Sequence, residues 1–309
     1  MCLVLVRSLP DLSNRVILPR TSCNPWDGWV RIAGRRILQS FQAHLPSVRD
    51  ESSVRELADL LSKNSARKVN DDLADPDEWI EQFVGQNVRW ESLGMLFTFS
   101  ELSDDQAGRC APRSELYQTG LEVADMCIDL SMCMSGGNLM LLFLCYRRTI
   151  LESQCLGDAG LSCWRAHAET VSLLTFLGLH ADTHTASYTP TFCSELRRRL
   201  SAFIFNCDKV ISFQGRPPFL SRRFISTPLP LDIADETFFA GPEALAHAVA
   251  ALDHNGWNRE NSYPSAATSI RARTLMATMR DELMEISLGN NEQTPISKLL
   301  YVIVIPPFP

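Results

Sequence analysis

The sequence predicts an all-α protein, and three observations lead to that prediction. Apolar residues recur at spacings of three and four over most of the chain from residue 77 onward. Glycine and proline interrupt this pattern where helices should end. Segments of alternating apolar and polar residues, which would indicate strands, are nearly absent. Helices of roughly 12 to 20 residues with short connections indicate a compact multi-helix array.

The first part of the chain shows a weaker helical pattern. Residues 1–27 contain several prolines without sustained periodicity, and we expect them to be poorly ordered. Apolar spacing predicts helices in pieces over 28–63. Residues 64–77 form a polar connection that ends at Pro76.

The remaining elements follow from apolar spacing and from the residues that break it. Ser114 is a plausible N-cap, Gly136 and Gly137 break a helix, and Gly289 is a helix stop. Met276, Met279, Leu283 and Ile286 fall on one face of the last helix. The apolar tail 291–309 is expected to be irregular and truncated. The predicted helical segments are 78–84, 88–99, 114–130, 139–155, 163–177, 196–211, 242–252 and 270–288.

Composition limits the classes of partner. The chain has 309 residues, of which 45% are apolar and 21% charged, as in ordinary globular proteins. Its net charge of −7 argues against a DNA-binding surface of its own. Short arginine clusters such as Arg197–Arg199 are interpreted as solvated or salt-bridged helix faces, with a phosphate-binding surface as the alternative. The longest apolar run, 139–146, is too short to span a bilayer, so no membrane partner is predicted.

The ten cysteines are interpreted as free thiols. None lies in a Cys-x-x-Cys pair, and the N-terminus lacks the long apolar stretch of a signal peptide. The sequence therefore predicts a protein of a reducing compartment rather than a disulfide-bonded secreted one. No metal ligand set and no cofactor site is predicted in this chain.

Residues 195–232 are the most informative stretch. An acidic residue, Glu195, precedes three arginines, and apolar residues then form one stripe along a helix. Gly215 stops the helix, Pro217 and Pro218 prevent its continuation, and a Pro-Leu-Pro-Leu-Asp segment follows at 228–232. The stripe consists of Leu196, Leu200, Phe203, Ile204, Cys207, Val210 and Ile211.

This order of parts resembles the middle homology region of fungal binuclear zinc-cluster transcription factors. Further motifs of that family are similar to segments 90–97, 176–180, 256–258 and 280–289. The resemblance assigns structural or regulatory importance to Trp90, Gly94, Gly178, His180, Glu195, Arg197, Arg198, Arg199, Leu200, Asp208, Gly215, Arg216, Pro217, Pro218, Pro230, Asp232 and Trp257.

The resemblance implies a helical regulatory domain over residues 28–290, best matched over 77–290. It implies a nuclear protein without enzymatic activity that controls transcription, with transcription machinery or regulatory proteins as partners. It also allows a small-molecule effector and a homodimer. The family binds DNA through a six-cysteine zinc cluster, which these 309 residues do not contain. DNA and zinc would therefore bind only through a domain that we expect upstream of Met1.

Two other functions remain open from the sequence. Asp71-Asp72-Leu-Ala-Asp75 matches the magnesium box of all-helical terpene synthases, because carboxylates at these spacings can share a helix face. The alternative is an acidic loop and N-cap, since Pro76 disfavours a helical Asp75. The remaining possibility is a scaffold that only contacts other proteins and does not bind DNA.

Two signature residues have competing interpretations. Arg216 is interpreted as structural, bonding helix-end carbonyls or an acid such as Asp208 or Asp232. Binding of an anionic effector is the alternative. His180 is interpreted as a helix C-terminal histidine that favours the helix dipole, with a metal pair formed with His184 as the alternative.

Overall fold

The computed structural model describes residues 28–44, 50–99, 115–181, 188–260 and 264–288, together with Cys2 and Val6. Within these residues the backbone forms eleven α-helices and no strand, which confirms the predicted all-α class. The helices are α1 (Gly28–His44), α2 (Glu51–Ser65), α3 (Pro76–Glu81), α4 (Trp90–Phe99), α5 (Glu115–Met134), α6 (Leu139–Leu156), α7 (Leu161–Phe176), α8 (Phe192–Ser212), α9 (Asp235–Phe239), α10 (Pro242–Ala250) and α11 (Ala266–Leu288).

Most helices lie where the sequence predicts them. The short helix α9 was not predicted, since five residues are too few to show periodicity. Ser114, Gly289 and the tail 291–309 lie outside the described residues. So does the segment 1–27, apart from Cys2 and Val6. The predicted domain limits, 28–290, stay a prediction.

Aromatic side chains join the N-terminal helices to the centre. Trp29 of α1 meets Phe143 of α6, with ring centroids 5.0 Å apart. Trp79 of α3 lies 5.5 Å from Phe192 at the start of α8. Because these rings are buried, they draw α1, α3, α6 and α8 into one hydrophobic core.

Gly94 sets the close approach of α4 to its neighbours. A Cβ atom at this position would lie 2.7 Å from Leu144 Cδ2 and 2.9 Å from Cys127 Cβ. These side chains belong to α6 and α5, which pack on α4. The glycine of the 90–97 motif is therefore a packing requirement, because any larger residue would push α4 away.

Helix α8 is buried along almost its whole length. The predicted stripe is confirmed: five of its seven residues are buried, and Phe203 and Val210 are half-buried. The interpretation of the arginine cluster as a solvated face is wrong for Arg198 and Arg199, which are 8% and 3% exposed. Both make ion pairs instead, so the salt-bridged part of that interpretation holds.

The buried face of α11 differs from the expected methionine face. Met276 is 49% exposed, whereas Ile270, Ala277 and Asp281 are buried. Apolar spacing predicted the wrong buried face of α11. The face that packs on α8 carries polar side chains, and these have partners on α8. Burial of Asp281 depends on the ion pair that it makes with α8.

Gly215 ends α8 with a backbone φ of +83°, in the region that favours glycine. No atom lies within 4 Å of a Cβ built there, so only the backbone conformation resists substitution. We expect Gly215→Val to destabilise the protein by about 1–2 kcal/mol or more in urea denaturation. Gly136→Val is the matched control, because Gly136 is equally open but has no positive φ. Equal losses for the two variants would contradict this assignment.

Candidate functional site

The loop between α8 and α9, residues 213–234, is the centre of the candidate site. We call it the α8–α9 loop. It runs across the face of α8 and reaches α11, and it contains the Gly-Arg-Pro-Pro and Pro-Leu-Pro-Leu-Asp motifs. Charged side chains of α8, buried beneath the loop, hold both of its ends.

Lys209 is the buried cation at the first end. Its side chain is 0% exposed, and its Nζ lies 2.9 Å from Asp208 Oδ2 and 2.6 Å from Asp281 Oδ1. The Nζ also donates to the Leu220 carbonyl oxygen. His167 Nε2 lies 3.0 Å from Asp208 Oδ1. We call Lys209, Asp208, Asp281 and His167 the Lys209 cluster; it joins α7, α8, the loop and α11.

The two carboxylates of the Lys209 cluster fix the loop backbone. Asp208 accepts the N–H groups of Phe219 and Leu220, both at 3.1 Å. Asp281 accepts the N–H of Arg222 at 2.9 Å. Burial alone would raise the pKa of Asp208, but the hydrogen bond to His167 and the charge of Lys209 outweigh it and lower that pKa.

Glu195 and Arg199, one turn apart on α8, hold the second end. Glu195 Oε2 accepts the N–H of Leu231 at 2.7 Å. Arg199 donates to the Ile233 carbonyl at 2.6 Å and pairs with Asp235 of α9. Burial raises the pKa of Glu195 and lowers that of Arg199, and their mutual attraction opposes both shifts. Glu195 and Arg199 of the Glu-Leu-Arg-Arg-Arg sequence therefore hold the Pro-Leu-Pro-Leu-Asp segment and the start of α9.

The other two arginines of the pattern have different surroundings. The Arg198 guanidinium lies 3.4 Å from the centroid of the Tyr188 ring and 3.7 Å from a Glu195 oxygen. Arg197 lies near the surface and pairs with Asp72 at 2.6 Å. The three consecutive arginines thus reach three separate parts of the structure.

Asp232 and Arg271 tie the loop to the following connection. Asp232 accepts hydrogen bonds from Thr268 Oγ1 at 2.6 Å, Ser265 Oγ at 3.0 Å and the Asn258 N–H at 3.2 Å. Arg271 of α11 donates to the Pro230 carbonyl.

Trp257 belongs to the same junction. Its ring stacks with the Arg271 guanidinium, whose carbon lies 4.3 Å from the ring centroid. Signature residues Pro230, Asp232 and Trp257 therefore meet at one place, and Arg271 connects them.

The Leu-Gly-Leu-His motif ends α7 and supports the middle of the loop. Gly178, at φ +74°, donates to Thr175 O, and Leu179 N donates to Leu174 O, which is the Schellman pattern. The His180 carbonyl accepts the N–H of Ser226 at 3.0 Å. The role of His180 seen here is thus its backbone contact to the loop. His184, its proposed metal partner, lies outside the described residues.

Arg216 binds carbonyl groups, which is the first of its two structural interpretations, and its backbone N–H donates to the Ser212 carbonyl at the end of α8. It donates to the Ala159 carbonyl at 2.6 Å, in the turn between α6 and α7, and lies 5.1 Å from the Trp164 ring centroid. The hydrogen bond to Asp208 or Asp232 was wrong, because Asp208 is occupied by the loop N–H groups and Asp232 by the 258–268 region. Pro217 and Pro218 carry the chain from that contact back to Asp208.

Trp90 and Gly94 lie away from this site. Trp90 is fully buried, and its indole N–H donates to Ser62 Oγ at 3.3 Å. Its neighbour Glu91, also buried, accepts from Ser65 Oγ and from Asn138 Nδ2. These contacts join α2, α4 and α6, so this motif positions helices.

The three carboxylates of the acidic box have different partners from one another. Asp71 accepts from the Trp79 indole N–H and from the Leu139 N–H, both at 2.9 Å. Asp72 pairs with Arg197, and Asp75 caps the start of α3 through the N–H of Asp77. The geometry matches the acidic loop and N-cap and does not match a shared metal face.

Two buried thiols near the site are unreactive. Burial raises the pKa of Cys163 to about 11 and that of Cys193 to about 12. These two thiols therefore stay protonated at neutral pH. Among the described residues no three His, Cys, Asp or Glu side chains could hold a metal ion together. No helix in the same residues is long and apolar enough to cross a bilayer.

Several residues of the site were not singled out from the sequence: Lys209, Asp281, His167 and Arg271. Lys209 carried a weak signal, because it lies between Cys207 and Val210 of the apolar stripe. Asp281 lies in the family-like segment 280–289, which gave it no particular role. Arg271 carried no signal, because only the fold brings it to the loop.

A cleft of about 250 Å³ lies between the two attachment points. Its walls come from α8, from the stretch of the α8–α9 loop between residues 222 and 229, and from α11. The ionic contacts around Lys209 and Glu195 thus flank an open space.

Removing the Lys209 charge should strongly destabilise the folded protein. Lys209→Met leaves Asp208 and Asp281 buried without their cation, which costs about 3–5 kcal/mol. Urea denaturation should show this loss, and adding Asp281→Asn should recover part of it. Arg223→Gln, which removes an exposed ion pair with Glu285, should change stability by less than about 1 kcal/mol. A Lys209→Met loss as small as that of the control would contradict the cluster.

The Asp208 carboxylate should show a defined pH dependence. Because folding lowers its pKa below the ordinary 3.8, its contribution is present above that value and disappears as the pH falls further. The stability difference between wild type and Asp208→Asn should therefore be largest at neutral pH and shrink below about pH 4. Denaturation series over this range measure it, and a constant difference would contradict the lowered pKa.

Comparison with known proteins gives one match. The family model of the fungal specific transcription factor domain matches residues 140–287. Searches of curated proteins and of solved structures return no match.

The matched region runs from α6 to the last turn of α11 and contains the whole α8–α9 loop. The 90–97 motif lies outside it, so the predicted extension of the match to residue 77 stays a prediction. The loop and both groups of ions that attach it to α8 and α11 lie inside it. Over residues 140–287 this chain is therefore similar to the fungal specific transcription factor domain.

Proposed function

We propose that the chain acts in the nucleus as the regulatory domain of a fungal transcription factor, and that it works by shifting between packed states of its helical array. The family match over residues 140–287 carries this proposal. That family is a transcription factor domain and is not known as a family of enzymes.

The α8–α9 loop is the element that would change between states. It is attached through buried ion pairs and hydrogen bonds at both ends, and its Leu220 and Ile233 side chains also join the hydrophobic core. The ionic contacts are either complete or broken, because a half-open arrangement would leave buried charges unpaired. A loop of this kind favours two discrete states over continuous deformation.

DNA recognition is proposed to come from a separate segment. The chain is acidic, and its cysteines lack the spacing of a zinc cluster. Partners proposed for the helical domain are the transcription machinery or regulatory proteins. A second copy of the chain and a small-molecule effector are further proposed partners. No cofactor is proposed for the domain itself.

A tethering experiment tests the regulatory role. The full chain is placed between a foreign DNA-binding domain and an activation domain, and reporter output is compared with that of the fusion lacking the chain. We expect the chain to change output by about fivefold or more, the lower end of typical allosteric coupling. Arg216→Gln frees the loop from the α6–α7 turn and should shift output again. Arg223→Gln is the control, and immunoblots establish equal protein levels.

Output that ignores the chain in every growth condition would overturn the regulatory proposal and favour a scaffold. Equal shifts for Arg216→Gln and Arg223→Gln would contradict the specific role of the loop. The two results are distinguishable, because the first compares fusions with and without the chain.

A further inference from the structure

The cleft between α8 and α11 has the composition of a ligand site. Ala202 and Phe205 of α8, Ile225 and Leu229 of the loop, and Leu275 of α11 give it apolar walls. Ligand sites typically combine such walls with a few placed polar groups.

Arg222 supplies positive charge at the mouth of the cleft. It lines the cleft from the loop, with its side chain 41% exposed. Its carboxylate partner, Glu282, does not line the cleft. A guanidinium has five N–H donors, so the pair with Glu282 leaves Arg222 donors for a ligand anion. Arg198, which lines the cleft from α8, is buried against Tyr188 and Glu195.

Three threonine hydroxyl groups in the cleft already donate their protons elsewhere. Thr274 and Thr278 donate to carbonyls one turn earlier in α11, and Thr227 donates to the Leu179 carbonyl at 2.7 Å. Their oxygens therefore face the cleft as acceptors only. An anion would be held by Arg222, and the apolar walls favour an apolar body.

The volume limits the size of the ligand. Typical ligand pockets measure roughly 300–1,000 Å³, so a cleft of about 250 Å³ suits a molecule below drug size. A water molecule occupies about 30 Å³ of liquid, which makes room for roughly ten non-hydrogen atoms.

We propose that this cleft binds a small organic carboxylate with an apolar body of roughly ten non-hydrogen atoms. Its carboxylate would lie against Arg222 at the mouth, and its apolar part between Phe205 and Leu275. The regulatory meaning of this binding rests on the function proposed above, but the binding itself does not.

Binding there would favour the closed arrangement. The ligand would contact α8, the loop and α11 at once, and these surfaces face one cleft only while the loop is attached. A ligand with this differential contact shifts the population toward the attached loop. The site would thus be the place where an effector acts on the loop.

Octanoate is a suitable probe, because it has the required size and charge. At ordinary ligand efficiency a molecule of this size binds with a Kd of roughly 1 mM. Ligand-observed NMR on the full purified chain, with octanoate up to about 10 mM, should show saturable binding near that Kd. Octanamide, of the same shape without the charge, and octylamine, of opposite charge, should bind at least about tenfold more weakly.

Paired variants locate the site. Arg222→Gln should weaken octanoate binding about tenfold, whereas Arg223→Gln should leave it unchanged. Both residues are exposed arginines in ion pairs, but only Arg222 lines the cleft. Ala202→Phe and Leu275→Trp fill the cleft from opposite walls, and either one that folds should abolish binding.

Each result decides the proposal. No binding of octanoate at about 10 mM, or equal binding of octanamide, overturns an anion site. Binding that survives a folded cleft-filling variant places the ligand elsewhere and also overturns it. These measurements need no reporter, so the regulatory proposal can stand or fall separately.

Discussion

The rest of the structure depends on one constraint, the burial of Lys209 with no exposed surface. A buried ammonium group costs several kcal/mol unless carboxylates and hydrogen bonds compensate it. Its neighbour Asp208 supplies one carboxylate, but the second comes from Asp281, 72 positions later in the chain. Helix α11 must therefore pack against α8 at one register. The α8–α9 loop must bring its Leu220 carbonyl to the same ammonium group, so the path of the loop follows from the same charge.

Proline residues lie next to the loop groups that α8 and α11 bind. Proline has a fixed φ and no N–H, so Pro217 and Pro218 stiffen the chain just before two N–H groups that Asp208 accepts. At the other end the Pro230 carbonyl receives Arg271, and the next N–H, that of Leu231, goes to Glu195. A stiff loop loses little entropy on attachment. The buried charged contacts at its two ends can therefore hold it, together with the core packing of Leu220 and Ile233.

The sequence was sufficient to predict the helices but not the buried ion pairs. Gly178 and Gly215 marked helix ends correctly because a positive φ is a local requirement that one residue reveals. The sequence did not predict the burial of Arg198 and Arg199, because a charged residue beside an apolar stripe is expected to be solvated unless its partner is known. Apolar spacing also chose the wrong face of α11, because Asp281 lies on the buried side. The family resemblance pointed to Glu195, Asp208 and Asp232, yet their partners are set by tertiary structure and leave no local pattern.

The position of the cleft links these features. It lies between the ions around Lys209 and those around Glu195, so its walls are fixed relative to one another only while both ends of the loop are attached. The chain as a whole is acidic, with a net charge of −7, and that field repels small anions from most of its surface. Arg222 places a positive charge at the mouth of the cleft. Under the proposed function, regulation through the loop needs no long path, because a ligand in the cleft would contact the loop directly.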